Sequence, residues 1–173
     1  MHFCSINFND MQKKLLTTTD NYSWFILRVA LGVVMLGHGL QKAFGLFGGF
    51  GWNNTMGYFT GTVGLPAWLS ALIILIESLG AVLLIIGFAG RINAALMALV
   101  MAGAFFVAHL PNGFFMNWFG TAKGEGYEFD ILFWAIAIVI TINGSGKYSI
   151  DRWLTTRTVH ATTGKIMNKP VVQ

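Results

Sequence analysis

The sequence predicts an all-α fold, a transmembrane four-helix bundle with both termini cytoplasmic, and three observations lead there. The chain of 173 residues is 55% hydrophobic and only 10% charged, with a mean hydropathy of +0.63, whereas soluble domains carry about 25% charged residues. Four apolar stretches, 24–47, 67–88, 92–109 and 127–143, are separated by polar or glycine-rich segments, and about 20 apolar residues suffice to cross a bilayer. The basic residues are also distributed unevenly. Lys13, Lys14, Arg91, Lys147, Arg152, Arg157, Lys165 and Lys169 fall on one side of such a topology, and Lys123 alone falls in the two long loops on the other. Cytoplasmic loops are the ones enriched in Lys and Arg.

Residues 1–23 read as a polar cytoplasmic lead-in with no cleavable signal peptide, because the apolar content is scattered and the stretch that follows is too long for a signal core. The first span, 24–47, ends in a glycine-rich exit from Gly45 to Gly51. Residues 52–66 are too polar to span, but Trp52, Met56, Tyr58 and Phe59 suit a segment lying at the membrane interface. The second span, 67–88, carries Glu77 at its middle, and the short turn Ala89-Gly90-Arg91 makes it an antiparallel hairpin with the third, 92–109. Ala95, Ala98 and Ala102 give the third span a narrow face suited to close helix packing in lipid. Pro111 and Gly113 break it, and a loop with Phe115, Trp118 and Phe119 leads to the fourth span, 127–143. The membrane domain is thus expected over 24–154, followed by a flexible cytoplasmic tail over 155–173.

Ionisable residues inside these spans set the functional question. At 100° per residue, Arg28, His38 and Lys42 share an arc of about 80° on the first span. A charge at mid-bilayer costs roughly 2.5–3.5 kcal/mol on insertion scales, so it should face protein or water and have a partner. Counting the helical rise groups His38, Gln41, Lys42, Glu77, His109, Glu128 and Asp130 in the outer half of the bundle. Arg28 and Arg91 form a second layer near the cytoplasmic face, with Asp151 as the expected acidic partner. Two readings fit the outer cluster. One is an ion-pair network that fixes helix register, with Glu77 bound to Lys42 or His38; the other is a polar cavity serving a ligand or a proton. The larger number of polar groups favours the cavity.

Several chemistries are excluded or unsupported. Cys4 is the only cysteine, so there is neither an intramolecular disulfide relay nor a thiolate cluster. His38, His109 and Glu77 are suitable metal-ligand types, but they are scattered over three spans without local spacing, so no metal site is read. Gly144-Ser145-Gly146-Lys147 lacks the spacing of a phosphate-binding loop. The net charge of +4 reflects helix ends and tails rather than a nucleic-acid surface.

Taken together, these residues resemble the DoxX family of small four-span bacterial membrane proteins. The likeness rests on Leu27-Arg28, Leu31-Gly32, Gly37-His38-Gly39, Gln41-Lys42 and Phe44-Gly45 in the first span. Glu77 with Gly80, Leu83-Leu84, Gly87 and Gly90-Arg91 continue it, and Gly144-x-Gly146-Lys147-Tyr148-Ser149-x-Asp151 follows the fourth. It covers roughly residues 25–154. Some members of the family are subunits of terminal quinol oxidase or thiosulfate:quinone oxidoreductase systems, and others are linked to oxidative-stress complexes. The resemblance therefore implies a bacterial inner-membrane protein acting as a quinone-interacting or accessory subunit of a membrane oxidoreductase. A quinone head would lie among His38, Lys42 and Glu77, with Glu77 or His38 relaying protons and Phe105 or Trp134 flanking the ring. No haem, flavin or Fe–S motif is visible, so electrons would come from a redox partner subunit or a soluble donor. A homo-oligomer is also compatible with the reading, and no catalytic redox residue is carried over, because the family pattern does not define one. The alternative is a small-molecule or lipid transporter, or a binding scaffold, using the same cavity without redox chemistry.

Overall fold

Residues 16–156 of the computed structural model are described, and they form helices and turns with no strand among them. Most of the expected cytoplasmic segments, 1–15 and 157–173, lie outside them, together with Lys13, Lys14, Arg157, Lys165 and Lys169. Helix α1 is Tyr22–Phe44. Asn21 caps it, its side chain accepting from the Ser23 amide at 2.7 Å, and Gly45 ends it in the left-handed region at φ 72°. A 3₁₀ turn, Leu46–Gly48, leads to α2, Gly51–Gly57, which runs into a π-helical turn at Tyr58–Thr62. The expected interfacial segment is therefore a short helix with Trp52 and Tyr58 exposed.

Pro66 fixes the start of α3, Ala67–Ile86, and Gly87, at φ 72°, stops it. Helix α4, Gly90–Asn112, follows at once and tightens into a 3₁₀ turn at Pro111. Helix α5 is Glu128–Asn143, and residues 150–156 are helical again (α6).

Three of these helices, α1, α3 and α4, are long and apolar enough to cross a membrane, rather than the four expected. Helix α5 is apolar but has only 16 residues, about 24 Å of rise against a hydrocarbon core of about 30 Å. Its limits match the expected 127–143 to within one residue, so the apolar pattern holds there and only the length falls short.

Helix α1 packs against α3 and α5, and α4 packs against the same two, so α1 and α4 lie across from one another. The core draws on all four: Leu31 and Met35, Ala81 and Leu84, Ala94, Met97 and Met101, then Phe133, Ala137 and Ile140. Contact between α1 and α3 is closest at Gly39, where an added Cβ would collide with the backbone of Glu77 and Ser78. Backbone cannot yield as a side-chain tip can. Gly39→Ala should therefore destabilise the fold by about 1–3 kcal/mol through overpacking. Gly37→Ala, where a Cβ meets nothing within 4 Å, should be neutral or slightly stabilising. Thermal unfolding in detergent would compare the two; equal midpoints would contradict the close α1–α3 approach.

At the opposite end from Gly45, the charged layer is assembled differently from expectation. Arg28 is fully buried and donates to the carbonyls of Ser145 (2.8 Å), Leu84 (2.7 Å), Tyr148 (3.2 Å) and Ile85. Arg91 donates to the carbonyls of Thr141 (2.8 Å), Ile142 and Thr17. Asp151 makes no ion pair with either arginine. It accepts from the amides of Ala89 (2.7 Å) and Gly90 (2.9 Å) and from the Ser145 hydroxyl (2.5 Å). The arginines thus satisfy the orphan carbonyls at the ends of α3 and α5, and the aspartate satisfies the amides at the start of α4. Each charge is placed against a helix end of opposite polarity.

Candidate functional site

At the Gly45 end of the bundle, the helices part around a cavity of about 290 Å³. Helix α1 contributes Val34, Met35, His38 and Lys42, and α3 contributes Glu77. From α4 come Val100, Met101, Ala104 and His109; Phe129 comes from α5, and Met116, Glu125 and Gly126 come from the loop before it. Spacings of three, four and seven place Met35, His38 and Lys42 on one side of α1. One end of the cavity is therefore basic and acidic, and the walls are apolar.

Two acid–base pairs organise the polar end. The Lys42 ammonium pairs with the Glu77 carboxylate, which is almost wholly buried while Lys42 keeps partial exposure. Glu77 lies in a π-helical turn, Ile76–Gly80, and His109 ends another, Phe105–His109. Such turns re-aim side chains within a helix and recur at functional sites. The second pair joins His109 Nδ1 to both carboxylate oxygens of Asp130, at 2.9 and 2.8 Å. Asp130 is fully buried and its carboxylate has no other hydrogen-bond partner among the described residues. An ionised carboxylate only accepts, so Nδ1 carries the proton and Nε2 is the nitrogen available for other partners. His38 lines the same cavity and is exposed at its rim.

Not every expected residue joins them. Gln41 reaches back to the Phe47 carbonyl at 3.3 Å and braces the exit turn of α1. Glu128 accepts from the Met116 amide at 3.3 Å and ties down the loop. Phe105 and Trp134, expected to flank a ring, instead pack on each other at 5.2 Å, with Phe105 also against Tyr127 at 5.4 Å. The Trp134 indole donates to the Ala98 carbonyl at 3.0 Å. Neither ring lines the cavity. Glu125 and Met116, which the sequence did not single out, do. The loop carrying them is folded back by Tyr127 N to Gly113 O (3.1 Å) and Glu128 N to Phe114 O (2.9 Å), with the Glu125 carboxylate accepting from the Asn117 amide (2.8 Å). Among the described residues no group of three or more His, Cys, Asp or Glu side chains is arranged to hold a metal.

The DoxX family model matches residues 23–110. The chain belongs to the DoxX family. That match runs from the start of α1 nearly to the end of α4, and so includes His38, Lys42, Glu77 and His109, whereas Glu125 and Asp130 lie beyond it. A DoxX-family assignment agrees with the apolar helices, and makes the lipid bilayer this protein's environment. The chain is also similar to "Putative oxidoreductase CatD" of Bacillus subtilis (strain 168), 33% identical over 126 residues, which are 73% of this chain and 82% of that protein. No solved structure matches it.

Proposed function

We propose that this DoxX-family protein is a quinone-interacting subunit of a membrane oxidoreductase system, with the quinone head held in the cavity. The observation that carries this reading is the polar set: an apolar chamber within the helices ends in Lys42 and His38, both able to donate to a carbonyl oxygen, and in His109, whose Nε2 can accept from a quinol hydroxyl. The similarity to a protein named as an oxidoreductase supports it. A quinone, when bound, supplies a reversible two-electron, two-proton acceptor.

The residues have distinct tasks in this reading. Glu77 compensates the Lys42 charge and holds its ammonium toward the cavity, where a low dielectric strengthens each hydrogen bond. Asp130 orients the His109 ring, so that its Nε2 can take up or release a proton. His38, at the rim, offers a further ring nitrogen to the head from the flank of α1. Met35, Met101 and Phe129 exclude water from the ring. Electrons come from a partner subunit or a soluble donor.

The same reading takes α5 across the membrane as the fourth span of a domain over 24–154. It puts both termini in the cytoplasm, and the bacterial inner membrane as the location, on the strength of the eight basic residues set against Lys123. Native mass spectrometry of the protein in mild detergent tests the function directly. One quinone per chain is the expected adduct. A chain carrying only phospholipid, with solute flux in proteoliposomes, would replace this reading by a transporter.

A further inference from the structure

We infer that the ligand enters the cavity sideways from the lipid, past Val34 and His38 on the flank of α1, and is an amphiphile whose apolar tail stays in the bilayer. This rests on the cavity being the ligand site proposed above, and adds its route and the chemical class of its ligand.

The first observation is where the cavity opens. Most of its wall is buried or half-buried, but Val34 is 41% exposed and His38 is exposed, and both line the cavity. A residue that faces both the chamber and the outside marks a mouth. Val34 and His38 are one turn apart on α1, beside the inward-facing Met35 and Lys42. They lie ten and six residues before Phe44, so about 15 and 9 Å from the end of the helix at 1.5 Å per residue. For a helix that crosses a hydrocarbon core of about 30 Å, that depth is lipid rather than water.

The second observation is size. At about 290 Å³ the cavity stands at the small end of ligand sites, which run from about 300 to 1,000 Å³. It has room for one ring-sized head, and its polar groups suit such a head, but no room for a long apolar chain as well. A tail must leave through the mouth, and at Val34 it would leave into acyl chains. Glu125, exposed on the loop, offers a second rim toward the aqueous side. A carboxylate there does not suit the passage of an apolar tail.

Association rates test the route. The full-length protein in lipid nanodiscs would be mixed with a decyl-tailed benzoquinone, and separately with the same ring without its tail, following tryptophan fluorescence quenching. Val34→Phe narrows the mouth, and Ile26→Phe adds the same bulk to an exposed position lower on α1 as a control. The ratio of tailed to tail-less association rates should fall about tenfold or more in Val34→Phe, because blocking a route acts on encounter. It should rise in Val34→Ala, and hold in Ile26→Phe. A ratio that is the same in wild type, Val34→Phe and Val34→Ala overturns the lateral route. A wild-type protein that binds the bare ring but not the tailed one overturns it too, while leaving the quinone reading standing. Binding of neither removes both.

Discussion

Arg28→Met is expected to destabilise the protein by roughly 3–5 kcal/mol, the scale reached when a buried cation's several hydrogen bonds to carbonyls are lost together at about 1–3 kcal/mol each. Arg28 is fully buried, and its guanidinium satisfies carbonyls from the end of α3 and from the loop after α5. Removing it leaves several acceptors without donors, each costing about 1–3 kcal/mol if it stays dry. The loss extends to Asp151, which lies one hydrogen bond beyond: Ser145 gives its carbonyl to Arg28 and its hydroxyl to Asp151. Arg28→Lys should recover only part of the stability, because one ammonium cannot reach carbonyls spread over a planar fork. Thermal unfolding in detergent, with the folded yield, is the measurement. An unchanged midpoint in Arg28→Met would mean the layer does not hold the helix ends.

The same layer shows what the sequence could and could not disclose. Arg28, Arg91 and Asp151 were legible as a group at one end of the bundle, because buried charges in apolar helices need partners. Their partners were not legible as backbone. A sequence displays side chains, so the nearest acid was the natural partner for the arginines, whereas α3 and α5 end in unsatisfied carbonyls that attract a cation just as well. Helix positions were readable within a few residues, since glycine and proline mark the ends at Gly45, Pro66 and Gly87. The shortness of α5 was legible as well, because the expected stretch 127–143 exceeds the helix, Glu128–Asn143, by a single residue.

For the site, depth and charge narrowed the partner of Glu77 to Lys42 or His38, and the structure gives Lys42. The coupling of His109 to Asp130 was readable only as membership of one cluster. The π-helical turns carrying Glu77 and His109 leave no signature in the residues Ile76–Gly80 or Phe105–His109, because their extra residue per turn is set by tertiary packing. Glu125 was invisible for a different reason. It reaches the cavity through a loop whose fold depends on hydrogen bonds between Gly113, Phe114, Asn117 and their partners, and no periodicity predicts those.

The central claim is that the polar cluster serves a ligand rather than merely holding the helices together, and Glu77→Gln separates the two. Glutamine keeps the volume of Glu77 and much of its hydrogen bonding. The Lys42 it leaves unpaired is 28% exposed and can stay solvated, so the bundle should fold with a midpoint close to that of the wild type. What changes is the site: the ammonium is no longer held toward the cavity, and the carboxylate that balances it is gone. Affinity for a decyl-tailed benzoquinone, measured on the folded variant in nanodiscs, should fall at least about tenfold, a difference of about 1.4 kcal/mol. A folded Glu77→Gln protein that binds the quinone as the wild type does would contradict the account and return Lys42 and Glu77 to architecture.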